Sequence, residues 1–338
     1  MGRNERDHLL RMAGKRKTEG VKAFLENGSM LLEKLVAACN GRPIPIRIFS
    51  YQELVSATNN FDPGLVLRVD AYNIWYKGSL EGRTISIKKD GRNPCPIESI
   101  FTDIAISAKI RPHKHAVKLI GCCLETPLPI LVYESITNGT LAARIYASDD
   151  DGVPQQRRPM AWQRRLKIAR DISHAISYLH TAFSRPIIHR QISVFSIVFD
   201  QHDVPKLSNF FDCITIPEGE TCVRVSFSGY GRGYQCPNYV QTSYVTEKTD
   251  VYSFGVLLLV LLTGRRALHM VESVRNRRIN EIVDAAILAE GEVAGMEQQL
   301  QAVLQLALAC VDLEPEIRPT MVDVAKELRR IDRTQKYQ

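Results

Sequence analysis

The apolar residues of this chain change their period once, and that change limits the fold more than any single motif does. Up to residue 134 they fall in short, alternating, β-rich stretches around Leu65–Trp75, Thr84–Lys88 and Ile130–Glu134, separated by turn signals such as Glu81-Gly82. Beyond Ala161 the spacing becomes three and four residues, first in Leu166, Ala169, Ile172, Ile176 and Leu179, then in Val303, Leu306 and Val311. A small β-rich lobe followed by a larger helical one reads as α+β. With 338 residues, 45% of them hydrophobic, the chain is long enough for two domains with substantial cores, or for one large bilobal one.

The rest of the composition mainly excludes. The longest apolar run, Val256–Leu262, is far below the roughly 20 residues that span a bilayer. No apolar stretch at the N-terminus can act as a secretory signal, and Arg6 breaks the myristoylation pattern that Gly2 opens. None of the 8 cysteines forms a C-x-x-C pair, so reduced, mostly buried thiols without a metal site are expected. The net charge of +7 is thinly spread and argues for no nucleic-acid partner. Residues 1–22 carry seven Lys/Arg against three acids, a solvated arm or an exposed helix face. These features predict a cytoplasmic protein, with plasma-membrane association through the basic arm left open.

Residues 1–60 read as a basic, helical extension. Phe24, Leu25, Met30, Leu31, Leu32, Leu35 and Val36 suggest two short helices broken at Asn27-Gly28, with Ser29 capping the second and Asn40-Gly41 stopping it. Pro43 and Pro45 then call for an extended connector. Ser50-Tyr51-Gln52-Glu53 fits a capping box opening a helix to about Asn59.

The order of short motifs is more specific. Ile85-Ser86-Ile87-Lys88 stands where a protein kinase has V-A-I-K, His189-Arg190-Gln191 where it has H-R-D, and Asn209-Phe210-Phe211 where it has D-F-G. Cys236-Pro237-Asn238 stands for A-P-E, Thr249–Gly255 for the central helix of the C-lobe, and Arg318-Pro319 for a late arginine motif. Six matches in order make the chain resemble a eukaryotic protein kinase domain over residues 61–338, with an N-lobe at about 61–136 and a C-lobe at about 137–338. Phe49–Leu54, Ala57–Phe61 and Lys118–Glu125 look like plant receptor-like cytoplasmic kinases. Phe24–Gly28, Ala38–Gly41 and Ile44–Arg47 resemble a narrower group, the plant immune pseudokinases related to the HopZ-ETI-deficient protein.

The departures from the pattern bear on chemistry. Phosphoryl transfer needs phosphates held, magnesium placed and the acceptor hydroxyl oriented. Aligning Tyr76-Lys77-Gly78 with the family's Y-K-G puts Arg68, Asp70 and Asn73 at the three glycine positions, where Asp70 would face phosphate with like charge. The metal carboxylate falls on Asn209, whose neutral amide binds magnesium weakly, and Phe211 replaces the following glycine. Gln191 occupies the position of the catalytic base, Ser193 and Ser196 replace the loop's Lys and Asn, and the αC glutamate falls at Asp103 or Ile104, neither expected to reach Lys88. Each loss costs roughly 10²–10³ in rate, though such losses do not simply add.

Lys88 then reads as a vestigial phosphate ligand or a strand lysine with a local partner, and Arg190 as pairing with an anion on the activation segment or with backbone. Asp250 is expected to brace the catalytic loop, and Cys122-Cys123 and Leu257–Leu262 to fill core. Loss of the A-P-E glutamate to Asn238 should loosen the end of the activation segment. Thr221, Ser226, Ser228 and Tyr230 on that segment are candidate contact or modification positions. The replacements in the kinase motifs predict no catalysis, cofactor or metal, whereas the biological role follows from the resemblance alone. The resemblance implies an adaptor or decoy in plant innate immunity, docking on a coiled-coil NLR receptor with leucine-rich repeats. There it would sense modification, by pathogen effector enzymes, of itself or of a recruited receptor-like cytoplasmic kinase. An allosteric regulator of an active kinase and an atypical nucleotide-dependent transferase are the alternatives.

Overall fold

The computed structural model describes residues 3–39, 46–146, 160–226, 231–275, 277–289 and 295–333, with side chains described from residue 18 onward. Asn40-Gly41, Pro43, Pro45, Ser228 and Tyr230 lie outside the described residues. The chain separates into two compact units, one of residues 1–112 and 117–137, the other of residues 113–116 and 138–338. The first is the β-rich one and the second the helical one, as the change of period requires.

The first unit is built on a six-stranded sheet: β1 (Arg47–Ile48), β2 (Val66–Val69), β3 (Asn73–Leu80), β4 (Arg83–Asp90), β5 (Leu119–Cys123) and β6 (Ile130–Glu134), in the order β1-β5-β6-β4-β3-β2. Glu81 and Gly82, both at positive φ, close the β3–β4 hairpin with Leu80 opposite Arg83, the two-residue turn that matches strand twist. β1 and β5 were not visible as alternating runs, because β1 has two residues and β5 is buried almost throughout. β1 joins by parallel pairing to β5, and only a glycine at 121 allows it: a Cβ there would lie 2.0 Å from the Arg47 carbonyl oxygen.

Three helices accompany the sheet: α1 (Arg3–Cys39), α2 (Tyr51–Ala57) and α3 (Ile97–Ile110). The capping box of α2 forms as expected, Glu53 N–H donating to Ser50 Oγ while the Glu53 carboxylate accepts from Ser50 N–H. The expected break at Asn27-Gly28 does not occur, and α1 runs through it as one helix of 37 residues. Asn27 is buried, and its side-chain amide donates to the carbonyls of Leu124 and Thr126, both at 2.9 Å. That tertiary anchor outweighs the roughly 1 kcal/mol that one glycine costs a helix. Cys122 and Cys123 are fully buried, and burial pushes their thiols up to about 12 and about 11, as inert core residues require.

The second unit contains α4 (Leu141–Ile145), α5 (Trp162–Thr181), α6 (Pro237–Thr242), α7 (Glu247–Thr263), α8 (Met270–Val274), α9 (Ile279–Ile282), α10 (Ala285–Leu288), α11 (Met296–Cys310) and α12 (Met321–Arg333). α7 is buried from Thr249 to Thr263 and packs against α5 and α11, while α12 packs on α5. Its length is set by chemistry at both ends. Thr246 caps the start, and Gly264, in the left-handed region, ends it where any Cβ would strike the Asp284 carboxylate. Short antiparallel pairs carry the loops: β7 (Ile187–Ile188) with β10 (Ile214–Thr215), β8 (Ile197–Phe199) with β9 (Pro205–Leu207), and β11 (Val223–Arg224) with β12 (Tyr244–Val245). No helix among the described residues is long and apolar enough to cross a membrane.

Candidate functional site

In the first unit the positions of interest lie on β2, β3, β4 and α3. Lys88, on the central strand β4, is buried, and its ammonium lies 2.7 Å from Asp103 Oδ2 on α3. The expectation that Asp103 could not reach Lys88 is therefore wrong. Aspartate is one methylene shorter than glutamate, yet both side chains converge within a closed polar cluster. Ser107 Oγ donates to Asp103 Oδ1 at 3.2 Å, one helical turn on. Tyr133 on β6 joins the same group, and burial together with the Asp103 charge holds its phenol well above the usual range. The pair is thus enclosed, with its charges satisfied inside the protein.

Trp75 on β3 covers this cluster. It is 1% exposed, its ring lies 5.4 Å from that of Tyr133, and the Lys88 ammonium stands 5.7 Å from its centroid. The Arg68 guanidinium also packs over the indole, 4.7 Å from its centroid, and burial lowers its pKa. Asp70 does not present its carboxylate to a phosphate, as its alignment had suggested. Oδ1 accepts from the N–H groups of Tyr72 and Asn73 and from Asn73 Nδ2, while Oδ2 accepts from Trp75 Nε1 at 3.1 Å. The residues at the three glycine positions build a hairpin that occupies its own polar groups: a carboxylate bonded to its own turn, an amide that donates to it, and a guanidinium packed over the tryptophan.

In the second unit, Asp250 on α7 organises the loop containing His189, Arg190 and Gln191. Fully buried, it accepts from His189 N–H at 2.7 Å and Arg190 N–H at 2.8 Å, and pairs with His180 Nε2 at 2.9 Å. These bonds hold Arg190 at φ 65, a conformation that an arginine adopts only when its surroundings over-determine it. Asp250 is therefore the brace that was expected. His189 in turn bonds the Ser208 carbonyl at 3.0 Å and packs edge-on against Phe210, while Asn209 takes a left-handed conformation at φ 67.

Asp212, three residues beyond Asn209, gathers what the sequence motifs leave separate. Its Oδ1 accepts from Arg190 Nη1 at 2.9 Å and its Oδ2 from Gln191 Nε2 at 2.9 Å. Arg190 also donates to the Asp212 carbonyl at 3.0 Å and to the Tyr239 hydroxyl at 2.5 Å, so both alternatives for this arginine, an anion and backbone, are realised together. Gln191 thus spends its amide on a structural bond. Ser196 does the same: Ser193 N–H donates to its hydroxyl, which donates to the Ser193 carbonyl, both at 3.0 Å. Asp212 carried no motif; an acid next to a degenerate metal position was the available signal.

The activation segment beyond Asp212 is less enclosed. Thr221 and Ser226 are exposed, and the Ser226 carbonyl accepts from the Tyr239 hydroxyl at 3.1 Å. The expected loosening at Asn238 is not seen. Arg318 is 1% exposed, and its guanidinium donates to Asn238 Oδ1 at 2.6 Å, with further bonds to the carbonyls of Asp312 and Lys248. An amide oxygen replaces the carboxylate as acceptor, and the contact survives the loss of charge.

Comparison with known proteins agrees with this geometry. The family model for protein tyrosine and serine/threonine kinases matches residues 71–328. The chain is 39% identical to Non-functional pseudokinase ZED1 of Arabidopsis thaliana, over 91% of this chain and 96% of the relative. It is 36% identical to Serine/threonine-protein kinase ZRK1 of the same plant, over 94% of each chain, and 36% identical to Non-functional pseudokinase ZRK2, over 92% and 90%. With the family match spanning most of its length and its brace, central helix and arginine anchor in place, the chain belongs to the protein tyrosine and serine/threonine kinase family, with ZED1, ZRK1 and ZRK2 among its relatives.

Proposed function

We propose that this chain is a catalytically inactive pseudokinase that serves as an adaptor or decoy in plant innate immunity. One observation carries the first half of the reading: the position that should accept the substrate proton holds Gln191, an amide hydrogen-bonded to Asp212. An amide has no basicity near neutral pH, so the acceptor hydroxyl would have no group to take its proton. The neighbouring facts point the same way. Asn209 offers magnesium a neutral oxygen, and Arg68, Asp70 and Asn73 stand where the phosphate loop has glycines, with the Asp70 carboxylate bonded to its own turn. That several relatives are named non-functional or inactive supports it further.

The second half rests on the resemblance. On this reading the chain docks on a coiled-coil NLR receptor with leucine-rich repeats. It reports pathogen-effector modification of itself, at Thr221, Ser226, Ser228 or Tyr230, or of a recruited receptor-like cytoplasmic kinase. The modified segment would alter what the receptor can pack against. The two halves have separate tests. Thermal unfolding against millimolar ATP, with and without magnesium, should show no shift. A site filled at a hundredfold excess over its dissociation constant would stabilise the fold by about 2.7 kcal/mol, and a magnesium-dependent shift of that size returns nucleotide to the account. Affinity capture from plant tissue should then yield a stoichiometric leucine-rich-repeat receptor. Recovery of an active kinase alone would favour the allosteric-regulator reading.

A further inference from the structure

One surface of the second unit takes no part in the networks described above. Phe195, in the loop between Gln191 and Ser196, is 54% exposed, an unusual setting for a phenylalanine flanked by buried residues. Its ring lies 6.5 Å from that of Tyr146, which follows α4. The guanidinium of Arg266, between α7 and α8, stands 5.2 Å over the same tyrosine. Leu268, two residues on, is 60% exposed, and Arg265 is exposed beside Arg266. The backbone under this patch is fixed, because Gly233 lies so close that a Cβ there would meet the Ala267 carbonyl carbon at 2.7 Å and Leu268 N at 2.8 Å.

The charge of the patch is one-sided. Arg265 and Arg266 are both exposed, and of the acids beside them Asp284, against Gly264, is paired with Arg165 at 2.6 Å. Glu272 stands 3.8 Å from His269. An exposed phenylalanine beside a half-buried tyrosine, with arginines, is the composition from which binding hot spots are made, since aromatic rings bury large area and arginine forks match carboxylates. Leu268 supplies an aliphatic contact that a nucleic-acid base would not stack on, and the patch offers no amphipathic helix to lie on a membrane.

We propose that Phe195, Tyr146, Arg265, Arg266 and Leu268 form a docking surface for an acidic protein segment. Its carboxylates pair with Arg265 and Arg266, and one apolar side chain of the segment packs between Phe195 and Leu268. The surface is independent of the receptor reading, and it asks nothing of the residues around Lys88, Gln191 or Asp212.

The test is fluorescence anisotropy with the full chain and a short labelled peptide of Glu and Ser around one central Leu. Binding should weaken as salt is added. It should fall at least about tenfold in Arg266→Glu, and also fall in Phe195→Ser, with the thermal midpoint of each variant unchanged. Lys326→Glu, an exposed lysine on α12, should bind as the parent does. The proposal is overturned if the parent binds no better than it binds the same peptide with Gln for Glu, or if Arg266→Glu binds unchanged. It is also overturned if phosphatidylserine vesicles or an oligouridine bind through these residues while the peptide does not.

Discussion

Two cation–carboxylate pairs stand beside the kinase motifs, one at Lys88 and one next to Gln191 and Asn209, and they are built on different supports. Lys88 and Asp103 sit on a central strand and a helix, enclosed by Ser107, Tyr133 and Trp75. Arg190 sits on a loop whose backbone is bound by Asp250 of α7, Asp212 ends a 3-10 turn, and the two side chains are held by hydrogen bonds to one another, to Gln191 and to Tyr239. In the first case regular secondary structure places the charges, so the arrangement is as rigid as the sheet. In the second only the Arg190 backbone is fixed from a helix, and side-chain hydrogen bonds hold Asp212 and Gln191 to it. The first pair therefore rests on strand and helix, the second on one helix-borne carboxylate and a set of side-chain bonds.

The largest expected effect lies in the enclosed pair. Asp103→Ala leaves a buried ammonium without its counter-charge and should cost roughly 3–5 kcal/mol in urea unfolding. The double change Lys88→Met with Asp103→Leu should recover most of that loss, because removing both charges also removes their desolvation cost. A single variant costing well under 1 kcal/mol would mean that the cluster is wetter than its burial indicates.

Next comes the acid sensitivity of the second unit. His113 packs on Tyr178, with His115 beside it; its Nδ1 accepts from His115 N–H at 3.2 Å, a bond that only the neutral ring can accept. Burial, with the charges of His115, His174 and Lys114, lowers its pKa from 6.5 to about 4. Folding therefore favours the neutral form: its contribution is complete above about pH 6.5 and is lost as pH falls through about 4. Between pH 7 and 4.5 the loss should be about 2 kcal/mol. His113→Phe, which keeps the ring and removes the titration, should flatten the thermal midpoint over that range, and an equally steep profile would assign the sensitivity to other groups.

Asp212→Asn should cost about 1–2 kcal/mol, the value of a partly buried charge-assisted bond, and should speed amide exchange over residues 212–226. Unchanged exchange there would remove the distinction between the two pairs. The smallest effect is a reference from outside both. Ser50→Ala removes the α2 cap and should cost about 1 kcal/mol, with amide exchange altered only near that helix.

Much of the architecture was legible because it follows from period and punctuation. The β3–β4 hairpin was announced by Glu81-Gly82, α2 by its capping box, and α7 by an apolar run that only a core could accept. Misreadings arose where a distant partner overrode a local signal. Asn27 looks like a helix terminator until Leu124 and Thr126 supply carbonyls for its amide, and Asn238 looks like a lost anchor until its oxygen is found on Arg318. Asp103 and Asp212 were harder. Their roles depend on residues 15 and 22 positions away meeting in space, and no local periodicity encodes that. Motif alignment located the degenerate positions, whereas only the folded chain reveals that Asp70 and Gln191 have been given other work.

Gly121 gives the attachment of β1 a sharp mechanical character. The Arg47 carbonyl occupies the space where residue 121 would carry its first side-chain carbon, so even alanine there would evict β1 from the edge of the sheet. Ile48 is paired through the same ladder, and the Phe49 ring also lies within 2.6 Å of that position. The extension is thus coupled to the sheet through a joint with the clearance of a single hydrogen atom, a latch that one methyl group would open.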